Sequence, residues 1–565
     1  MIRAATDHRV FGAVAESLSS SIDLVWLGPV APPSWPLGNV RMAEASPAGI
    51  RKIIDEQLAE SSAVAWLFWD QSLGVPRTDR VAQALERRGD VWHAGLALGQ
   101  GGLPGLMNFV HPTWMFNRDP PASIESTSWR VTLRACLARV SVLEQLGGPE
   151  AGFRTLEAAS LEFGHRCLTQ GALTRHIPSL VLGAASDQPQ LPLEDEALFI
   201  HRCHGSFWSG WALARAVMTG YASLRQTLGA WQVIGHEFDI QRRVFTPSPP
   251  PALNRLVGAQ VSVIIPTLNR YSFLRVLLEQ LRKQTEQCRE IIIADQTAPN
   301  RRADAPYGEF EDLPLRVLYL EGQGQSSARN AALAIARGHY VLFLDDDVEI
   351  DERLVEQHLI CVNHSQADAS CGVAHELGAL PLPDHFRLRR PSDVFPTNNS
   401  LAVRDTIRAA GSFDPTFDRH QNEDHDLGMR MYLSGAVMML QPEIEVFHHH
   451  APIGGLRAFG TRRITYGSSR QRLLHRHLPS VSELYLALRY FNRAQLREMV
   501  WLRVLGTASM RGSPVRRLVK LVVAAAFLPD SWLRTRSRVR AAEALLERNG
   551  AWRPPATTMD APLDY

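Results

Sequence analysis

The chain has 565 residues, 45% of them hydrophobic and 21% charged, with 39 Gly and 35 Pro. These proportions exclude a disordered, collagen-like or disulfide-scaffold protein, and the length predicts about three domains with full cores. Net charge is only +2, yet it is unevenly placed: Arg457–Arg548 holds nineteen Arg and Lys against five Asp and Glu, so one tail is basic and the rest of the chain acidic.

The six cysteines (Cys136, Cys167, Cys203, Cys288, Cys361 and Cys371) form no CxxC pair, so neither a zinc ribbon nor a redox motif is expected. The opening stretch, Met1–Gly28, lacks the unbroken apolar core of a signal peptide. The longest uncharged apolar run, Leu521–Leu528, falls well short of the roughly 18 residues needed to span a bilayer. A reduced, cytoplasmic location is expected.

Residues 245–251, FTPSPPP, cannot form a helix interior or a central strand, and predict a linker over 245–255 that follows an N-terminal half, 1–244. Val261–Ile265, β-branched and closed by Pro266, predicts a strand buried on both faces. Leu274, Leu277, Leu278 and Leu281 repeat at helical spacing and predict an amphipathic helix. Further strands are predicted at Ile291–Ile293, Val317–Leu320 and Tyr340–Leu344, and an Ala-rich helix at Ser327–Ala336. Strands alternating with helices give an α/β domain with a mainly parallel sheet, whose ligands bind beyond the carboxyl ends of the strands. Chemistry is therefore expected in the loops opening at Pro266, Asp295 and Asp345.

The chain also matches itself. At an offset of 264, residues 134–184 align without gaps on 398–448, with identities that include Leu137/Leu401, Gly147/Gly411, Gly164/Gly428, Arg166/Arg430 and Gly171/Gly435. At an offset of 275, Leu67-Phe68-Trp69-Asp70 falls on Leu342-Phe343-Leu344-Asp345, and at 245, Tyr221, Ser223, Arg225 and Gln226 fall on Tyr466, Ser468, Arg470 and Gln471. Three windows in the same order predict two copies of one fold.

Four clusters carry chemistry. Asp345-Asp346-Asp347 follow the apolar strand YVLFL; carboxylates crowded at a buried strand end repel one another unless a cation offsets them, and oxygen ligands suit Mg²⁺ or Mn²⁺. The alternative is a solvated acidic turn, since Glu349, Asp351 and Glu352 follow. Asn422-Glu423-Asp424-His425-Asp426 opens a helical face and is either a general base aimed into a cleft or a helix cap. His448-His449-His450 follow Val446-Phe447, where imidazole could ligate a metal, neutralise phosphate, or simply close a strand. Gly322-Gln323-Gly324-Gln325 leads into a helix and suits phosphate or sugar contact, without the spacing of a P-loop or of GxGxxG.

Taken in order, VSVIIPTLNR, IIIADQT, GQGQSSARNAALAIARGHYVLFLDDDVEI, NNSLAVRDTIRAAGSFD, NEDHDLGMR and VFHHH resemble the family 2 glycosyltransferases of GT-A fold over about 255–475. The later segment FGTRRITYGSSRQRLLHRH is similar to the arginine-rich helix that follows the catalytic core in bacterial members. The resemblance implies a GT-A catalytic domain at 256–455 and a basic helical region at 456–565. It implies an inverting transfer of a sugar from a nucleotide-diphosphate sugar, a UDP-sugar first, to a glycan or lipid-linked hydroxyl in envelope polysaccharide synthesis. Pro266 and Thr267 would line the base pocket, Asp295 would hydrogen-bond the base, and Arg329 would contact the donor, with Asp345 and Asp346 beside it. Asp345, Asp347 and His448 would hold Mn²⁺ or Mg²⁺, and Asp424, with Glu423 beside it, would be the catalytic base. Asp295-Gln296-Thr297-Ala298 departs from the family's Asp-Asp-Gly-Ser, which bears on uracil recognition.

In the N-terminal copy Asp345-Asp346-Asp347 become Asp70-Gln71-Ser72, Glu423-Asp424 become Ala159-Ser160, and His448 becomes Ala184. A degenerate GT-A-like domain at 1–244 is therefore expected, for packing, acceptor binding or homodimerisation; the alternatives are a bifunctional two-domain polymerase and a non-catalytic nucleotide-sugar-binding scaffold. In the tail, Arg511, Arg516, Arg517 and Lys520 flank LVVAAAFL, and Arg534, Arg536, Arg538 and Arg540 follow Trp532. Two readings stand: an element lying peripherally on an anionic membrane surface at the inner face of the cell membrane, and a helical subdomain packed on the catalytic core. No motif that reads nucleic acid accompanies the charge, and nucleic-acid binding is not expected.

Overall fold

The computed structural model describes residues 2–3, 24–27, 40–110, 117–183, 189–235, 243–247, 260–376, 382, 386–451, 454–455, 478–506, 513–550 and 552. The proline run 248–251, the arginine-rich segment 459–477, Ala184 and Arg511 lie outside the described residues.

Two mixed sheets organise the chain. The first contains β1 (Ile2–Arg3), β2 (Leu24–Leu27), β3 (Val40–Ala43), β4 (Ala65–Asp70), β5 (Val91–His93), β6 (Ser126–Thr127), β7 (Ala135–Arg139) and β8 (Thr174–His176), in the order β3-β2-β1-β4-β7-β5-β8-β6. The second contains β9 (Val261–Thr267), β10 (Glu290–Asp295), β11 (Leu315–Tyr319), β12 (Tyr340–Leu344), β13 (Val348–Ile350), β14 (Ala369–Glu376), β15 (Arg390–Pro391), β16 (Asn399–Val403) and β17 (Met438–His448). Its order is β11-β10-β9-β12-β16-β14-β17-β13, with β15 also on β17.

The apolar runs explain the second sheet. Val263, Ile264 and Ile265 are fully buried, because helices cover both faces of the parallel run β11-β10-β9-β12. The helix Tyr271–Arg282 buries Leu274, Leu277, Leu278 and Leu281 against one face, each contributing about 1.5–3 kcal/mol of transfer free energy. On the other face, the helix Gln325–Ile335 buries Ala328, Ala332 and Leu333. Pro266 does not end β9, which runs on to Thr267. The pairing of β9 with β12 stops at Ile264, so Pro266 has a neighbouring strand on one side only and its missing N–H breaks no ladder. The α/β class and the helical C-terminal region are as expected, while the antiparallel strand β16, between β12 and β14, makes the sheet mixed.

The first seven strands of the two orders correspond, β6 matches β15, and the registers agree as well. Leu67 opposes Leu137 in the β4–β7 pair, and Leu342 opposes Leu401 in the β12–β16 pair. Val91 faces Ala138 and Thr174; Ala369 faces Ala402 and Met438. Contacts between the units are reciprocal too. A Cβ on Gly171, at φ +105°, would meet the Arg389 carbonyl oxygen at 2.7 Å, and one on Gly435, at φ +93°, would meet the Glu125 carbonyl oxygen at 2.5 Å. The helix Leu156–Thr169 packs on β15, and the helix Glu423–Leu433 packs on β6. A single hydrophobic core includes Trp129 and Phe199, then Phe395 and Tyr432, then Tyr485 and Val504, so it crosses both predicted boundaries.

The C-terminal helices dock on this core. Ser480 and Glu483 form a capping box that starts the helix Val481–Tyr490. From it Arg489 reaches Asp426 and Asp414, both at 2.6 Å, and the Tyr490 hydroxyl donates to Asp426 at 2.8 Å. Glu498 pairs with Arg215 of the N-terminal half at 2.6 Å. The helix Pro514–Ala526 differs from these. Val515, Leu518 and Val522 are 72%, 63% and 61% exposed, while Lys520 is its buried residue at 4%. Among the described residues no helix is long and apolar enough to cross a membrane.

Candidate active site

A cleft of about 360 Å³ opens at the carboxyl ends of β9 and β12, where the α/β order predicts ligand binding. It is lined by Pro266, Thr267, Arg329, Asp345, Asp346, Asp347, Glu423, Asp424 and His448, so nine of the ten residues singled out in the sequence meet in one place. Asp295 is the tenth. It lies fully buried behind the wall, and its carboxylate accepts from the Tyr271 and Tyr307 hydroxyls at 2.7 and 2.8 Å and from the Thr297 N–H at 2.8 Å. Gln296, the next residue, lines the cleft instead. Its side-chain oxygen accepts from the Gly324 N–H at 2.6 Å.

Arg329 joins the two acidic clusters. Only 2% of its side chain is exposed, and its guanidinium donates to Asp345 at 2.8 Å and to Glu423 at 3.0 Å. Its position on the helix Gln325–Ile335 follows from packing, since the small Ala328 and Ala332 let that helix lie close on the sheet. Glu423 is buried at the start of its helix. Burial and the neighbouring Asp424 push its carboxyl upward, against the pull of Arg329. Asp424 is half-buried and faces the cleft, and its carboxylate accepts the His425 N–H at 2.8 Å. The turn that presents both acids passes through Asn422 at φ +86°, a left-handed conformation that non-glycine residues seldom adopt.

The aspartate run divides its labour. Asp346 is buried and turned back onto the Thr267 hydroxyl at 2.8 Å and Arg270 at 3.0 Å, and burial raises its carboxyl above the usual range. Asp347 lies 3.2 Å from His448 and 3.2 Å from Arg270, and accepts the Ala451 N–H at 2.8 Å. Burial would raise its carboxyl, but the His448 hydrogen bond and charge, with Arg270, outweigh it and hold the group below its ordinary value. Asp345, Asp347 and His448 each offer one ligand atom within 4.8 Å of the others, an oxygen-rich set suited to a hard divalent cation.

Two expectations change. The N-terminus of the helix Gln325–Ile335 does not present its first amides to a phosphate: Asp418 accepts the Ser327 N–H at 2.7 Å and hydroxyl at 2.5 Å and sits against Gly324. The three histidines do not act together either. His448, the last residue of β17, and His450 line the cleft, while His449 pairs with Glu349 outside it. Arg270, Asp418 and Gln296 were not singled out in the sequence. Arg270 stands inside the motif VSVIIPTLNR, so a cation beside the aspartates was readable there; Asp418 had no local signal.

In the N-terminal unit the corresponding place holds only a small pocket of about 30 Å³. Asp70 there is paired with Arg134 at 2.9 Å. Ser160 donates to the Leu156 carbonyl and accepts the Leu133 N–H.

Comparison with known proteins places the domain. Residues 262–400 match the model of the family described as Glycosyl transferase family 2. A pre-mycofactocin glycosyltransferase of Mycobacterium tuberculosis is 29% identical over 258 residues, 43% of this chain and 52% of that protein. Glycosyltransferase GlyA of Streptococcus pneumoniae serotype 4 is 32% identical over 119 residues, 21% of this chain and 17% of that protein. The chain thus spans about half or less of these relatives. Among solved structures, the mannosyltransferase PcManGT of Pyrobaculum calidifontis, in complex with GDP-Man and Mn²⁺, aligns over 59% of this chain and 97% of its own, at 17% identity and a TM-score of 0.36.

Proposed function

We propose that the cleft transfers a sugar, with inversion, from a nucleotide-diphosphate sugar to a hydroxyl of a glycan or lipid-linked acceptor in cell-envelope polysaccharide synthesis. The observation that carries this is the Arg329 bridge, which ties Asp345 of the aspartate run to Glu423 beside Asp424 across one cleft. Asp345, Asp347 and His448 would hold Mn²⁺ or Mg²⁺, which when bound stabilises the charge of the departing diphosphate. Asp424 would accept the proton of the acceptor hydroxyl as that oxygen attacks, a general-base contribution of about 10²–10⁴-fold. Glu423, held on Arg329, fixes the turn that aims Asp424. Pro266, Thr267 and Gln296 would border the nucleotide, a UDP-sugar in the first instance.

The N-terminal unit we read as a degenerate copy of the same fold that serves as a packing partner. Supporting this are the common strand order, the equal registers and the reciprocal glycine contacts, an arrangement of the kind two copies adopt about a two-fold axis. The small pocket and the Asp70–Arg134 pair speak against a second transferase centre there. For the helix Pro514–Ala526 we propose an anionic lipid surface as the occupant of its exposed apolar face. Val515, Leu518, Val519, Leu521 and Val522 would enter the interface, with Arg516 and Arg517 at the headgroups.

The reading is tested by screening UDP-, GDP- and dTDP-sugars for Mn²⁺-dependent thermal stabilisation of the full chain. Donor at about 100 times its Kd should add about 2.7 kcal/mol. Turnover should release a nucleoside diphosphate. Release of pyrophosphate would assign the cleft to nucleotidyl transfer, and no stabilisation by any donor would refute the proposal.

A further inference from the structure

We propose a second cation site at the edge of the cleft, formed by Glu376, His448 and His450 and suited to a borderline transition metal such as Zn²⁺. The backbone builds it. β14 and β17 are parallel neighbours whose register sets Glu376 directly beside His448. β17 ends at His448, and His448, His450 and Glu376 all line the cleft. His450 is held at φ +51°, one of five non-glycine residues with positive φ among those described; such local strain concentrates at functional sites. That turn brings the His450 ring to 4.3 Å from the His448 ring, centroid to centroid, and its Nε2 to 2.9 Å from the Glu376 carboxylate.

One ligand atom from each of the three residues lies within 4.8 Å of the others. A tetrahedral Zn²⁺ with bonds of about 2.0–2.2 Å holds its ligands about 3.4 Å apart, a spacing close to the one these atoms already have. Two imidazoles and one carboxylate, opening into the cleft, form the donor set of zinc sites that keep a position for water or substrate. The other triad, Asp345, Asp347 and His448, is richer in oxygen and favours Mg²⁺ or Mn²⁺. His448 stands in both, and Glu376 and His450 belong to the nitrogen-rich one alone.

The test uses the full chain and the metal alone. Zn²⁺ affinity is measured by competition with a chromophoric chelator, and Co²⁺ is added as a spectroscopic substitute. The wild type should bind one Zn²⁺ at this site and give the d–d absorption of a four- or five-coordinate Co²⁺ centre. His450→Ala and Glu376→Gln should each weaken Zn²⁺ at least tenfold and remove that absorption, while Asp345→Asn leaves both unchanged. Zn²⁺ binding that survives in His450→Ala and Glu376→Gln, or that is lost equally in Asp345→Asn, would overturn the proposal. Neither measurement depends on sugar transfer, so the donor reading and this one fail separately.

Discussion

Arg329 is the residue whose removal the structure judges most severely. It is almost fully buried, and its guanidinium neutralises Asp345 and Glu423, with Asp424 adjacent. Arg329→Met keeps much of the volume and stem but leaves these carboxylates facing one another. Two charge-assisted hydrogen bonds at about 1.5–3 kcal/mol each give a loss of about 3–6 kcal/mol at neutral pH, and the usual cost of stripping one partner from a buried pair gives about 3–5 kcal/mol. The pH dependence has a definite sign. Burial and Asp424 already raise the Glu423 carboxyl above its ordinary value of 4.5, and loss of Arg329 raises it further. A carboxyl whose native pKa exceeds its unfolded one holds an extra proton in the folded state, so stability falls as pH rises from the ordinary value through the raised one. Urea unfolding of Arg329→Met and wild type at pH 5 and pH 8 should therefore show the larger deficit at pH 8. A deficit below about 1 kcal/mol at pH 8, or equal deficits at both values, would refute the reasoning.

Asp424→Asn should keep Mn²⁺-dependent donor binding within twofold and lose turnover by about 10²–10⁴-fold; near-normal turnover by steady-state assay would remove Asp424 as base. Asp70→Asn should leave turnover unchanged, because Asp70 is tied to Arg134 in a pocket of only about 30 Å³, and a loss comparable to that of Asp424→Asn would contradict a degenerate unit. Gly171→Ala and Gly435→Ala should each destabilise by about 1–3 kcal/mol in thermal unfolding, since each puts a Cβ into the other unit's backbone at positive φ; a neutral result at either would break the reciprocal arrangement. Leu518→Glu with Val522→Glu should abolish flotation on anionic vesicles without changing turnover on a soluble acceptor, and no salt-sensitive flotation of the wild type would dismiss the lipid surface.

Local pattern carried much of this to the page. The run YVLFLDDD fixed both a strand and the acids at its end, because a fully buried β-strand reads as an unbroken apolar stretch and its carboxyl end opens on the ligand side. NEDHDLGMR was legible for the same kind of reason, an acidic first turn followed by an apolar helical face. What escaped was set by distant pairing. Asp295 is a strand-end acid like Asp345, yet tyrosines at 271 and 307 take up its carboxylate, and neither is foreseeable from the strand itself. Asp418 caps a helix 91 residues before it in sequence, and Glu376 reaches the cleft only through the register of β14 with β17. The inverted helix Pro514–Ala526 was visible as an apolar run beside arginines, but that its lysine points inward depends on what the helix packs against.

The central claim is that Asp345, Asp347 and His448 secure a nucleotide-diphosphate sugar through a divalent ion. It is met most directly by calorimetric titration of UDP and GDP into the full chain with Mn²⁺, with EDTA, and into Asp347→Asn. The account predicts binding of at least one nucleotide that requires Mn²⁺ and falls at least tenfold in Asp347→Asn. Nucleotide binding of equal strength in EDTA, or undiminished in Asp347→Asn, would contradict it.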